Sequence, residues 1–234
     1  MAGYDAEKLF EALRAGKSVE GENLRGIDLS GRDLSGTNLR LTDLRNANLR
    51  DTNLSEANLE RTTLDGAILR HTNFSKANLS EIVLTNLDLS TCVLDGIVAQ
   101  KSQFVRVSLS EQNLTNSNFT GSVMIHSSAE NVDFSGSTMV LMSILFSSID
   151  RCTLHNCDLR LANFGLSNII KSTFDQTDLS KTSFTGARLQ SIKIANSTLD
   201  GADLTLIHAN GIDLTGSSYK GLITERATME NITK

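Results

Sequence analysis

The sequence predicts a solenoid, a single rod of short stacked repeats, and three observations carry that prediction. First, every fifth residue from Leu24 to Met229 keeps one register, and 37 of its 42 positions are Leu, Phe, Met or Ile. The exceptions are Ala99, Ala129, Ala209, Tyr219 and Thr224. A period of five fits neither the helical spacing near 3.6 nor the strand spacing of about 2, so it belongs to a repeat architecture. Second, the residue two before nearly every register position is small or aliphatic, as in Ala47, Thr52, Ala57, Thr62, Ile82, Leu87 and Cys92. Both positions therefore point into a confined interior. Third, no linker or composition shift interrupts the register, and the 234 residues include no Pro. A coil held by backbone bonds to its neighbours loses a donor wherever Pro enters.

The elements follow in order along the chain. Residues 5–15 read as a short amphipathic helix, with Ala6, Leu9, Phe10 and Leu13 on one face, Asp5 as N-cap and Gly16 as stop. Residues 1–20 are thus assigned to a capping helix and its lead-in, and residues 21–234 to the repeat rod. The helix is expected to cover the first coil's apolar interior, because terminal coils of a solenoid need caps. Within the rod, the position before the register residue is often Asn or Asp (Asp43, Asn48, Asn53, Asn58), and the two positions after it are polar, charged or Gly. No cap is evident at the other end, where Tyr219, Leu222, Ile223 and Met229 approach an open edge. An unpaired edge is a template for another chain, so a homodimer through the C-terminal end is expected.

The motif AlaAsnLeu at residues 47–49, 57–59 and 77–79, with AlaAspLeu at 202–204, resembles the A(D/N)Lxx signature of the pentapeptide-repeat family. The resemblance spans about nine-tenths of the chain. It implies an all-β solenoid, a right-handed quadrilateral β-helix in which four pentapeptides form the sides of each coil, roughly ten coils in all. At about 4.8 Å between paired strands, such a rod is on the order of 50 Å long.

Chemistry is sparse. Cys92, Cys152 and Cys157 occupy the inward small-residue position, and no inward His completes a zinc site with them. His71, His126, His155 and His208 all point outward, on different coils or sides. No carboxylate pair shares a pocket, and a shaft filled by its own side chains offers none. An enzyme is not expected, nor a cofactor or metal. Two inward polar residues stand out: Arg32, which should reach the cap or solvent, and Gln112, which should bond a backbone group or a neighbouring residue at the small inward position. A net charge of −5 argues against binding nucleic acid by neutralising phosphates. No apolar run approaches the roughly 18 residues of a membrane span, and no secretory signal opens the chain. Cytoplasmic residence is the expectation, with export lacking a cleaved signal left open.

The surface is then where function is expected. Val105, Ile125, Leu145, Phe146 and Leu166 fall on one side, and Val140, Leu141 and Leu161 lie across a shared corner. Together they predict an apolar patch of the kind that binds a partner; the competing expectation is that local distortion of the coils turns some of them inward. The leading reading is a rigid, non-catalytic scaffold for protein–protein contact. The resemblance also implies a DNA mimic that shields DNA gyrase or topoisomerase from inhibitors, but the outer columns alternate in charge, as in Arg40, Glu60 and Asp51, His71. A third reading is a bacterial effector or secretion-system accessory.

Overall fold

The path of the chain is set by what its backbone groups do at each corner. In the computed structural model, which describes residues 5–234, the carbonyl of a register residue accepts a hydrogen bond from the N–H three residues on, as from Ile27 to Leu24 (3.1 Å) and from Thr42 to Leu39 (3.2 Å). That closes a β-turn whose second central residue needs φ > 0. Gly26 (φ 70°) and Gly36 (φ 64°) supply it freely, and Asn46 and Asp51 supply it at small cost. Residues 1–4 of the lead-in lie outside the described residues.

Each corner turns the chain, and every fourth corner brings it back beneath itself. Pairings are parallel and offset by twenty residues throughout, from Asn23 with Asp43 to Ile212 with Ile232. The bonds run both ways: Leu24 N–H donates to the Asp43 carbonyl (2.9 Å) and Asp43 N–H to that of Glu22 (3.0 Å). The result is a quadrilateral parallel β-solenoid with one short N-terminal helix.

Inside, the register residues form ladders, with Leu24 to Leu84 giving way to Phe104, Phe119, Phe134, Phe164, Phe174 and Phe184, all essentially solvent-free. Phe164 stacks on Phe184 at 5.1 Å between centroids, and Phe174 meets both edge-on. Most hydroxyls at the small inward position are satisfied by the carbonyl 23 residues earlier, as Thr52 to Leu29 (2.8 Å) and Thr72 to Leu49 (2.7 Å), or three residues earlier, as Thr42 to Leu39 (2.7 Å); Ser117 Oγ is the buried exception. Buried polar groups that find such partners cost little. Gln112 obeys the same rule, donating to the Ser90 carbonyl at 2.9 Å.

Ten segments are extended enough to be strands. These are β1 Val83–Thr85, β2 Gln103–Val105, β3 Val123–Ile125, β4 Ser128–Glu130, β5 Ser143–Leu145, β6 Ser148–Asp150, β7 Asn168–Ile170, β8 Arg188–Lys193, β9 His208–Asp213 and β10 Thr228–Thr233. One sheet runs β1-β2-β3-β5 and a second β10-β9-β8-β7-β6-β4. At the corner after β2 the turn bond is replaced: Val107 N–H donates to the Ser127 hydroxyl (2.9 Å), and Ser127 and Ser147 N–H donate likewise to Ser147 and Ser167 (both 3.1 Å). A serine one coil further on thus holds the corner open.

The cap is α1, Ala6–Arg14, with the Asp5 carboxylate accepting from Lys8 N–H at 2.9 Å. Leu9 and Ala12 are buried, and Ala6, Phe10 and Leu13 pack against the core. Arg32 reaches this helix, 3.1 Å from Glu7 and 5.5 Å from the Phe10 ring centroid.

Asp at the position before the register residue accepts bonds from the residue two ahead, as Asp28 does from the hydroxyl and N–H of Ser30 (2.7 and 3.0 Å). These bonds favour the carboxylate and hold Asp28, Asp33, Asp88 and Asp213 below the ordinary range; Asp43, bonded by the Arg45 guanidinium, falls to about 2. A folded-state pKa below the unfolded one contributes stability that is complete above the unfolded value and lost as pH drops through the folded value. Melting temperature is therefore expected to hold above about pH 5 and fall between about pH 4 and pH 2. Asp43→Asn should flatten part of that fall in a pH series of melts; an unchanged slope would remove Asp43 from the account.

Candidate interaction face

The side of the rod carrying β1, β2, β3 and β5 is built by strict alternation. Leu84, Phe104, Met124 and Ile144 point in, so their neighbours Val83, Val105, Val123, Ile125 and Leu145 point out. Register places Val105, Ile125 and Leu145 directly over one another. They are half-buried by their neighbours in adjacent coils.

Two corner rows border this face. Along one, backbone bonds stack Lys101, Gly121, Leu141, Leu161 and Lys181; along the other lie Arg106, His126, Phe146, Leu166 and Gly186. All of these positions carry φ > 0, including Leu141 (60°), Phe146 (52°), Leu161 (61°) and Leu166 (58°). A bulky side chain pays about 1–2 kcal/mol for that conformation, which Gly, Asn and Asp tolerate better. These four side chains are nonetheless 48–58% exposed, so little burial offsets the cost. Val140, beside Leu141, is half-buried.

Between the corner rows, Ser143, Leu145 and Asn163 are half-buried and Gly165 is buried. Phe146 stacks against His126 at 5.3 Å and 29°. Leu166 leans over Gly186, where an added Cβ would lie 2.9 Å from its Cδ2. Outside this row, an open groove of about 920 Å³ runs past Arg106, His126, Phe146 and Leu166, facing Ser128 and Ser148. Ser127 and Ser147, which hold the open corners, line it. A smaller hollow of about 340 Å³ joins Val140 and Leu161 to Arg160, Ser180 and Lys181.

Seven of the eight residues singled out from sequence thus lie on this face and its two corners, and Val140 lies on the adjoining side next to Leu141. Sequence reasoning overlooked Val83 and Val123 on the same face and Leu206 further along the second corner row, as well as Ile68 and Val93 on other sides. Valine at the position before the register residue was the signal, since Asn or Asp usually stands there.

Elsewhere the polar groups pair off. Arg40 bridges Glu20 (2.7 Å) and Glu60 (3.2 Å), His71 contacts Asp51 (3.0 Å), and Arg151 contacts Asp150 (2.8 Å) and Glu130. Cys92, Cys152 and Cys157 donate to the Leu69, Ala129 and Phe134 carbonyls, the role Thr and Ser play in other coils. Burial pushes the Cys92 thiol up to about 12 and the other two to about 11, far from the reactive thiolate. No three His, Cys, Asp or Glu side chains converge among the described residues. In the last coil Tyr219 and Ile223 are exposed and Leu222 and Met229 half-buried, with Lys234 Nζ 5.8 Å from the Tyr219 ring centroid. None of the described helices is long and apolar enough to cross a membrane.

Among solved structures, the chain is similar to HetL, a pentapeptide repeat protein involved in heterocyst differentiation regulation from the cyanobacterium Nostoc sp. strain PCC 7120. Identity is 24%, 97% of each chain is covered and the TM-score is 0.58, a likeness of fold. It also matches QnrB1, a plasmid-mediated fluoroquinolone resistance protein, at 20% identity over 87% of this chain and 90% of that one, with a TM-score of 0.34. A pentapeptide repeat protein from the Arabidopsis thaliana thylakoid lumen matches at 25% identity over 53% of this chain and 66% of that one, with a TM-score of 0.17. No curated protein matches the sequence. A family profile described as pentapeptide repeats matches in 8 copies, over residues 23–61, 57–96, 102–139 and 147–186. With most of the rod matched and the coil period agreeing, the chain belongs to the pentapeptide-repeat family.

Proposed function

We propose that this protein is a non-catalytic scaffold that holds a protein partner against the face bounded by its two apolar corner rows. One observation carries the reading: Leu141, Phe146, Leu161 and Leu166 occupy a backbone conformation that disfavours them while staying half-exposed. The corner conformation is common to all coils, but large apolar side chains left exposed there are not required by it, and that points to a use outside folding. Val105, Ile125, Val140 and Leu145 complete the apolar surface.

The test is a Leu141→Asp, Phe146→Asp variant. Aspartate suits φ > 0 better than either native residue, so the variant should fold and melt at or above the parent temperature. Partner retention in pull-downs from the native host should drop on the order of 100-fold, since apolar anchors at an interface centre dominate binding. A well-folded variant that retains every parental partner would remove the face from consideration. Protection of gyrase from a quinolone in a supercoiling assay, unaffected by this variant, would put the DNA-mimic reading in its place.

A second contact is proposed at the outer edge of β10. There Leu222 and Met229, inward by register, are half-exposed beside Tyr219 and Ile223. A homodimer through this edge should dissociate in Tyr219→Lys, Ile223→Lys; sedimentation showing a parental monomer at tens of micromolar would dismiss it.

A further inference from the structure

Resting on the docking face above, we propose that its occupant is a second copy of this chain, packed face to face and antiparallel about a two-fold axis crossing the face between Ser143 and Asn163. The order of residues along the face is the first argument. Parallel pairing stacks one residue per coil into an unbroken ladder from Val83 through Ser143 and Asn163 to Ile223. The ladder takes seven coil steps, about 34 Å at the strand spacing, and its midpoint lies between Ser143 and Asn163. Turning the face about that midpoint sets Val83 against Ile223 of the second copy. The same turn sets Leu141 against Leu161 in one corner row and Phe146 against Leu166 in the other. All six side chains are 43–58% exposed, so three apolar pairs form on each half of the contact from residues that folding leaves in water. Of the other exposed large apolar residues in these rows, Leu206 falls against the Arg106 stem and Leu41 lies beyond the overlap. An isologous contact needs a surface that matches itself in reverse, and this one does.

Size at the axis is the second argument. Leu145 leans toward the axis, its Cδ2 3.6 Å from where a Cβ on Gly165 would stand. The two copies therefore bring their Leu145 side chains together in space that Gly165 leaves open. Beside them, the Asn163 amide of each copy faces the Ser143 hydroxyl of the other and can donate to it, so these polar groups stay partnered.

Charge is the third argument. The two-fold sets Lys101 against Gly201 of the second copy, next to Asp203. Neither Lys101 nor Asp203 forms a salt bridge among the described residues; Asp203 accepts only from Thr205 N–H (2.9 Å) and the Thr185 hydroxyl (3.1 Å). That carboxylate offers a counter-ion both to Lys101 and to its own chain's Lys181, whose Cγ lies 3.5 Å from where a Cβ on Gly201 would stand. The contact occurs twice, once at each end. Pairing the rods in parallel keeps Leu141 against Phe146 but opposes Lys101 with Arg106 twice, and like charges disfavour that arrangement.

The test uses the full chain. Its mass in sedimentation equilibrium should rise with concentration through tens of micromolar, and Leu141→Asp, Phe146→Asp should weaken that self-association at least about 100-fold. Val105→Cys chains mixed with Thr205→Cys chains should couple through a short bis-maleimide linker. Neither variant alone should couple, because like positions in the pair lie five coil steps apart, about 24 Å. The native Cys92, Cys152 and Cys157 are buried and do not compete. The end contact proposed at β10 cannot mimic this result, since it leaves the Val105 coil of one chain far from the Thr205 coil of the other. A parent that stays monomeric, self-association indifferent to the Asp variant, or coupling of Val105→Cys with itself would each overturn the antiparallel pair. A monomeric parent whose Asp variant still loses a host protein in pull-downs overturns self-pairing and leaves the docking face standing. Failure of the face itself shows as a monomeric parent whose Asp variant keeps every host partner.

Discussion

Phe164→Ala is expected to cost about 3–5 kcal/mol, the largest loss of any single substitution in this rod. Phe164 is fully buried, stacked on Phe184 at 5.1 Å and met edge-on by Phe174 at 6.0 Å. Truncation leaves a cavity that three coils border and that a hydrogen-bonded backbone cannot collapse to fill. Because each coil touches only its neighbours, the damage should be local, with early loss of amide-exchange protection in the coils around residues 144–204. Phe164→Ala, Phe184→Ala together should cost less than the sum of the singles, since the stacked pair is lost once. Urea melts supply the check, with Phe146→Ala as the surface control. A cost under about 1 kcal/mol for Phe164→Ala would mean that the aromatic column is not the core's keystone.

The opposite sign is expected at the corners. Replacing Leu141, Phe146, Leu161 and Leu166 together by Asn should raise stability by roughly 2–3 kcal/mol, because each bulky residue is held at φ 52–61°. Some of the gain is offset by the lost Phe146–His126 stack and the Leu166 contact over Gly186. The same variant should lose its partner. Stability and binding moving in opposite directions is the signature of residues kept for contact rather than for folding. If the quadruple variant is instead destabilised, these side chains serve the fold and the interaction face loses its main support.

The coil could be recognised before any coordinates, and for a physical reason. A five-residue register with small residues two places earlier defines which side chains face inward, and that is a local property of the backbone. Helix α1, its Asp5 cap, the Arg32 reach to the cap and the Gln112 bond to backbone followed from the same logic. The strands were less visible. Whether a corner closes on its own turn bond or opens onto a serine depends on Ser127, Ser147 and Ser167, each one coil away from the corner it holds.

The interaction face divides in the same way. Its apolar members stood out in the one-dimensional pattern because they occupy positions that are polar elsewhere. Val83 and Val123 did not, nor did the grouping of Lys101, Arg106 and Lys181, which look like ordinary surface charge until stacking sets them around one face. Residue order alone determined the rod, its interior and its cap, since each follows from repeats of five residues acting locally. Only the stacked structure decided the open corners and the company each cation keeps, because those depend on neighbours twenty residues away whose side chains no local rule constrains.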